Sequence, residues 1–215
     1  MEVWSTLYND TQMFLSENPT PDEELRRTQL IAHETAHMWF GDLVTMNWFD
    51  DVWTKEVFAN YFAALITEPL FPQVNHQLNW MKTYTAASLS EDRTPGTTAI
   101  RQPLDNLQNA GLIYGQIIYN KAPVMMVKLV ELMGKEAFRE GIQEYLKTYA
   151  YANATWDDLI QILNSKTPKR NADNQFRSIR QTADHTSARP ISKRIKLASK
   201  IQYHPLRNKR HNDRS

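Results

Sequence analysis

The sequence predicts a mainly α-helical fold, and three observations support this. Thr20, Pro21 and Glu23 form a complete helix start, in which Thr20 caps, Pro21 takes the first helical position and Glu23 completes a capping box. Apolar residues recur at helical spacing over residues 111–133. Alternation typical of a strand is confined to residues 2–8. We therefore expect a helical body with a short β remnant at its N-terminus.

The predicted helices follow one another along the chain with short connections. The first ends at Phe40, because Gly41 is a natural residue to follow a helix, and Pro123 is expected to kink the fourth. Residues 94–96 predict a turn, residues 98–101 a short extended stretch, and residues 42–50 a loop. The predicted helices cover residues 21–40, 51–67, 74–89, 111–133, 135–149 and 156–164.

The composition is that of an ordinary globular protein and excludes several other classes of site and structure. The chain has 215 residues, of which 41% are hydrophobic and 23% charged, as in an ordinary globular protein. It contains no cysteine, which excludes disulfides and thiolate metal ligands. We find no run of 18 apolar residues and therefore expect no membrane span. The opening residues 1–10 do not have the pattern of a signal peptide, and the compartment stays open.

The net charge of +1 hides two different compositions. Residues 1–168 hold 12 basic and 21 acidic residues, whereas residues 169–215 hold 13 basic and 3 acidic ones. Only seven residues of this second segment are Leu, Ile, Val or Phe, too few for a packed core in so charged a segment. We expect a folded domain over residues 1–168, followed by a basic tail that is disordered or foreign to the fold.

The first predicted helix carries a metal-binding pattern. His33-Glu34-Thr35-Ala36-His37 is an H-E-x-x-H motif, and residues four apart share one helical face, so both imidazoles can reach one ion. Glu34 then lies near the open position of the metal, where a carboxylate can take a proton from water and return it to a leaving amine. The alternative is a pair of partly exposed helical histidines beside an unrelated carboxylate.

A catalytic zinc ion usually has three protein ligands. Glu56, 19 residues after His37 and near the start of the second predicted helix, can be brought back against the first helix by a turn of that length. On spacing alone, a solvated helical glutamate is an equally good interpretation. Asp50 and Asp51 can either orient the histidines or cap the second helix.

This spacing resembles the zinc signature of the M1 aminopeptidases, a gluzincin family. The intervening stretch 38–46 and the segment 53–59 also resemble that family, although Lys55 and Val57 stand where Asn and Gly are usual. The resemblance implies a thermolysin-like catalytic domain with one zinc ion per chain, held by His33, His37 and Glu56, with Glu34 as the catalytic acid and base. It also implies peptide substrates.

Two further segments are similar to the same family. Residues 114–121 resemble the segment with the catalytic tyrosine, which implies that Tyr119 stabilises the oxyanion; a buried helical aromatic is the alternative. Ala122 stands where Gly is usual. Glu2 falls where the family has the glutamate that binds the free α-amine of the substrate, although Val3 replaces the usual Asn.

The resemblance covers residues 1–168, and flanking domains typical of the family are absent from this sequence, so we expect a piece of a longer enzyme. Three alternatives stay open at this point. They are an endopeptidase of another zincin family, a fragment that binds zinc without turnover, and a nucleic-acid binder acting through the basic tail. The tail has few aromatic residues and no known module, so we expect no nucleic-acid partner.

Overall fold

A computed structural model describes residues 14–95 and 97–167. The predicted strand over residues 2–8, with Glu2, and the tail 169–215 lie outside these described residues. Within them the chain is mainly helical, as predicted. The α-helices are α1 (Pro21–His37), α2 (Trp53–Thr67), α3 (His76–Trp80), α4 (Ala87–Asp92), α5 (Ala110–Ile113), α6 (Ala122–Met133), α7 (Lys135–Thr148) and α8 (Trp156–Lys166). Short 3₁₀ helices cover Phe49–Asp51, Glu68–Leu70 and Leu107–Asn109, and π-helical segments cover Met81–Ala86 and Ile117–Lys121.

The start of α1 is the predicted capping box. The backbone N–H of Glu23 donates to Thr20 Oγ1 at 3.3 Å, and the Glu23 carboxylate accepts from the Thr20 N–H at 2.8 Å. The helix ends at His37, three residues before the predicted end at Phe40. It ends early because the chain folds back, so that the Asp42 N–H donates to the His37 carbonyl. Gly41 permits this turn with a φ of +133°, which L side chains rarely adopt.

A short parallel sheet forms where a loop was predicted. Strand β1 (Val44–Met46) pairs in parallel with β2 (Ala152–Ala154), with Val44 opposite Ala152. The prediction of an unbroken loop over residues 42–50 was therefore wrong, because the partner strand lies far away in the sequence. Residues 98–101, predicted as extended, form no strand in the described part of the chain.

The predicted helix over residues 111–133 is broken in two. Tyr114 has extended backbone angles, and helical structure resumes with the π-helical segment before α6. Gly115 stands at this break, where glycine weakens a helix. Pro123 occupies the first turn of α6, a position that tolerates its missing N–H. The sequence predicted a kink at Pro123. The structure instead has a break at Tyr114, followed by a π-helical segment that leads into α6.

The core joins α2 to the later helices and fixes the position of α1. α1 packs extensively against α2, which also contacts α6, and α7 packs against α8. Phe58 on α2 is fully buried and stacks on Phe40 at a ring-centroid distance of 4.5 Å. Trp53 and Trp156 bring the starts of α2 and α8 together, with ring centroids 4.6 Å apart. The two helices that carry the motif residues are therefore held side by side by apolar packing.

Candidate metal centre

The two histidines of α1 lie one turn apart on the same face. His33 Nε2 and His37 Nε2 are 3.1 Å apart, and the imidazole rings meet edge to face with centroids at 4.7 Å. Both side chains are partly buried against α2. As the helical repeat predicts for residues four apart, the two imidazoles lie together on one face of α1.

Glu56 on α2 completes the cluster. Its Oε2 lies 3.4 Å from His33 Nε2 and 3.6 Å from His37 Nε2, and the residue is only 5% exposed. The three ligand atoms lie within 4.8 Å of one another. The structure thus brings together the three side chains that the sequence proposed as ligands, with Glu56 buried in the centre of the cluster.

Burial and proximity change the protonation of these groups. Burial alone would raise the pKa of Glu56, but hydrogen bonds and charge from His33 and His37 outweigh it and lower that pKa to about 2. Burial pulls the pKa of His37 down, but contacts with Glu56 and the Phe40 carbonyl raise it overall. The cluster therefore holds a carboxylate that stays ionised and a histidine that takes up a proton readily when no cation is present.

Glu34 and Tyr119 face the same space as the cluster. Both line a cavity of about 480 Å³, together with His33, His37 and Glu56. Tyr119 belongs to the π-helical segment before α6 and is 37% exposed. Burial, and after it the charge of Glu56, raises the pKa of its hydroxyl to about 12. Tyr119 therefore keeps its proton and can act as a hydrogen-bond donor towards a ligand in the cavity.

The second nitrogen of each imidazole also has a partner. His37 Nδ1 lies 3.0 Å from the Phe40 carbonyl oxygen, which can only accept a hydrogen bond. Nδ1 of His37 therefore carries a proton, and in the neutral ring Nε2 presents a lone pair towards Glu56. His33 Nδ1 lies 3.0 Å from Asn60 Oδ1. Backbone and amide groups thus hold the two rings.

Asp50 and Asp51, which the sequence left open as partners of the histidines, have another role. Arg101 Nη2 lies 3.2 Å from Asp50 Oδ2, and Arg101 Nε lies 2.7 Å from Asp51 Oδ1. Neither carboxylate lines the cavity. Asp51 accepts from a backbone N–H of α8, so it supports the start of α2 without touching the imidazoles.

Sequence reasoning missed several residues that line the cavity. Gln29 and Leu30 lie four and three residues before His33, so the helical repeat alone could have placed them there. Asn60 lies four residues after Glu56 and could have been found in the same way. Tyr84 comes from the π-helical segment after α3, and no local signal in the sequence connects that segment to the site.

The donor set fits a divalent metal ion. Imidazole nitrogen and carboxylate oxygen are ligand types that zinc accepts in catalytic sites, where three protein ligands are common. His37 presents Nε2 as an available lone pair, and the Glu56 carboxylate stays ionised. The residues present are therefore suited to hold a cation at the edge of the cavity.

Fold and site together define a mainly helical hydrolase-like domain with a His, His and Glu cluster. The sequence matches the Peptidase family M1 domain over residues 1–182. It is 31% identical over 170 residues to Probable aminopeptidase 2 of Sulfurisphaera tokodaii, covering 79% of this chain and 22% of the relative. It is 34% identical over 170 residues to Aminopeptidase N of Lactobacillus delbrueckii subsp. lactis, covering 78% and 20%.

A human relative gives a similar result. Endoplasmic reticulum aminopeptidase 2 of Homo sapiens is 31% identical over 167 residues, covering 77% of this chain and 17% of the relative. The chain belongs to peptidase family M1. It spans about a fifth of the length of these curated relatives. Among the described residues, no helix is both long and apolar enough to cross a membrane.

Proposed function

We propose that this chain carries the zinc centre of an aminopeptidase that removes N-terminal residues from peptides. The observation that carries the proposal is the convergence of His33, His37 and Glu56 at one edge of a cavity that Glu34 and Tyr119 also line. The names of the matched relatives support the reaction class. Their larger size makes the substrates of the whole enzyme part of the proposal.

His33, His37 and Glu56 would hold one zinc ion. Zinc, when bound at such a site, lowers the pKa of a coordinated water and polarises the carbonyl of the scissile peptide. Among the ligands, the ionised Glu56 reduces the net charge of the centre by one. Its burial between α2 and α1 keeps its carboxylate fixed relative to the two imidazoles.

Glu34 is the proposed acid and base. It lies beside His33 on α1 and lines the cavity, which gives its carboxylate access to water and to the substrate amide. It takes a proton from the attacking water and delivers it to the nitrogen of the leaving amine. General acid–base catalysis of this kind contributes roughly 10²–10⁴ in rate.

Tyr119 is the proposed stabiliser of negative charge on the substrate carbonyl oxygen. Its raised pKa keeps the hydroxyl protonated at neutral pH, so it can donate to an oxygen that becomes anionic. The ring lies 6.3 Å from that of Tyr114, measured between centroids, so a neighbouring aromatic supports it. The hydrogen bond from the Tyr119 hydroxyl therefore strengthens as negative charge develops on the substrate carbonyl oxygen.

The proposal has two further parts, one concerning Glu2 and the other the bounds of the catalytic domain. Glu2 would bind the free α-amine of the substrate and so limit cleavage to the N-terminal residue. Residues 1–168 would form the catalytic domain, and residues 169–215 would be dispensable for zinc binding. The family match extends to residue 182, somewhat beyond that proposed boundary.

The experiment combines metal analysis with a hydrolysis assay. Glu34→Gln should keep about one zinc ion per chain and lose hydrolysis of aminoacyl amides, because glutamine has a similar shape but cannot carry the proton. His37→Ala and Glu56→Ala should lose zinc. His76→Ala is a matched control, since His76 bonds the Phe71 carbonyl and does not line the cavity.

Different results would contradict the role of Glu34, the ligand set and the restriction to N-terminal residues. Full activity of Glu34→Gln with bound zinc would remove Glu34 from the mechanism. Tight zinc binding by Glu56→Ala would show that the ligand set is wrong. Cleavage of internal bonds in N-acetylated peptides, at the rate found for free peptides, would indicate an endopeptidase.

A further inference from the structure

Asn60 bridges the candidate metal centre and the segment that carries Tyr119. It lies on α2, one turn after Glu56. Its Oδ1 is 3.0 Å from His33 Nδ1, and its Nδ2 is 3.4 Å from the backbone carbonyl oxygen of Tyr119. One amide side chain therefore touches a proposed metal ligand and the backbone of a proposed catalytic tyrosine.

The carbonyl of Tyr119 is available to Asn60 because of Pro123. In an α-helix the carbonyl of Tyr119 would accept from the N–H of residue 123, and proline has no N–H. The backbone is also π-helical here, with the Ala122 N–H donating to the Ile117 carbonyl. Asn60 Nδ2 donates to the Tyr119 carbonyl from outside the helix, at 3.4 Å.

This contact fixes the orientation of the Asn60 amide. A carbonyl oxygen can only accept, so the NH₂ group of Asn60 must face Tyr119 and its oxygen must face His33. That oxygen can only accept as well, so His33 Nδ1 must carry the proton. When the ring is neutral, His33 Nε2 is then left with a lone pair, and it points at Glu56 and His37 Nε2.

We infer that Asn60 is a positioning residue that holds His33 in the Nδ1-protonated tautomer and links it to the Tyr119 segment. An asparagine suits this position because it offers one acceptor and one donor on the same side chain. An aspartate would keep the acceptor for His33 but would turn a second oxygen towards the Tyr119 carbonyl. A leucine of similar size would remove both.

The inference has a structural alternative. If Asn60 served only to pack α2 against the Tyr119 segment, its removal would lower stability without changing the tautomer of His33. The tautomer of His33 separates the two roles, because packing alone does not place a proton on one nitrogen. This readout needs neither zinc nor turnover.

The first measurement is ¹⁵N NMR of the histidines in the metal-free, full 215-residue chain. It is made at a pH at which the imidazoles are neutral, and His33→Gln identifies the His33 signals by their loss. We expect His33 to carry its proton on Nδ1 in the parent chain and in Asn60→Asp. Asn60→Leu should lose this preference, whereas the exposed control Asn164→Leu should retain it. A parent His33 protonated on Nε2 would overturn the inference, even if Asn60→Leu does not fold.

The second measurement is zinc affinity by competition with a chelator. It rests on the proposed zinc centre, because a group that orients a ligating histidine typically contributes 10–100-fold in affinity. Asn60→Leu should bind zinc about 10–100-fold more weakly than the parent, and Asn60→Asp should stay within a few-fold. Parent-like affinity in a folded Asn60→Leu would contradict the positioning role. A parent chain that binds no zinc would instead refute the proposed function, while the tautomer experiment would still decide the role of Asn60.

Discussion

Asp51 accepts a hydrogen bond from the backbone N–H of Trp156 at 3.0 Å, although 105 residues separate the two in sequence. Trp156 begins α8, where the first N–H groups have no partner inside the helix. Asp51 also pairs with Arg101 and is only 2% exposed. Burial raises its pKa, and the Trp156 N–H and Arg101 oppose that effect. The carboxylate thus ties the start of α2 to the start of α8.

Asp51→Ala should therefore destabilise the fold. It removes a hydrogen bond and an ion pair from a buried site, and the loss should be about 2–3 kcal/mol in the free energy of unfolding, because hydrogen bonds to charged groups are among the stronger ones. Urea unfolding measures the change. The exposed Asp105→Ala is the control and should stay within about 0.5 kcal/mol of the parent. An equal effect of the two substitutions would show that Asp51 does not join the two helices energetically.

The metal-free chain should be stabilised by the Glu56 and histidine cluster in a defined pH window. The pKa of Glu56 is lowered from 4.5 to about 2, so its contribution is present above pH 4.5 and is lost as the pH falls towards 2. The pKa of His37 is raised above 6.5, so its contribution is present below pH 6.5 and is lost as the pH rises through the raised value. The extra stability should be greatest between about pH 4.5 and 6.5.

The thermal midpoint as a function of pH checks this window. The difference between the parent and Glu56→Gln, both metal-free, should be largest inside it and should shrink on either side. Glu68→Gln, at an exposed position outside the cavity, should follow the parent at every pH. A difference that kept growing above pH 8 would indicate that His37 does not take part.

Tyr119→Phe should lower kcat far more than it changes KM. The substitution removes one hydrogen bond that forms in the transition state, which corresponds to roughly 10²–10³ in rate. Steady-state kinetics in a form of the enzyme with measurable turnover tests this. Tyr114→Phe is a matched control, because Tyr114 neighbours Tyr119 but does not line the cavity. A near-normal kcat in Tyr119→Phe would leave that residue a packing role only.

Glu2→Ala should weaken the preference for substrates with a free α-amine. Losing a charge pair with the substrate ammonium should cost at least about 2 kcal/mol, or roughly 30-fold in kcat/KM. The comparison is between a free peptide and its N-acetylated form, each tested with both enzymes. If the parent cleaves the two peptides equally well, Glu2 does not select for the amine.

The sequence predicted the parts of the molecule that depend on near neighbours. The capping box of Thr20 and Glu23 and the shared face of His33 and His37 follow from interactions three or four residues apart. The structure also brings Glu56 to the histidines, because apolar packing holds α1 against α2. Local spacing was a sufficient guide to the capping box and the shared helical face, whereas Glu56 was expected there only because of the family resemblance.

Long-range relationships were not predictable in this way. Pairing of Val44 with Ala152 joins two stretches whose own sequences carry little strand signal. The contact of Asn60 with Tyr119 spans 59 residues, so no local pattern around either residue indicates it. The break at Tyr114 was missed because the apolar repeat continues across it.

The parallel pairing of β1 and β2 sets an order for synthesis. All three proposed ligands precede residue 57, whereas β2, which pairs with β1 in the loop between their helices, follows α7. Tyr151 strengthens this connection, because its N–H donates to the Leu43 carbonyl at 2.7 Å. A nascent chain that has not yet exposed residue 154 therefore lacks this hydrogen-bonded support for the loop that joins α1 to α2. That loop can accordingly complete its hydrogen bonding only after β2 has emerged from the ribosome.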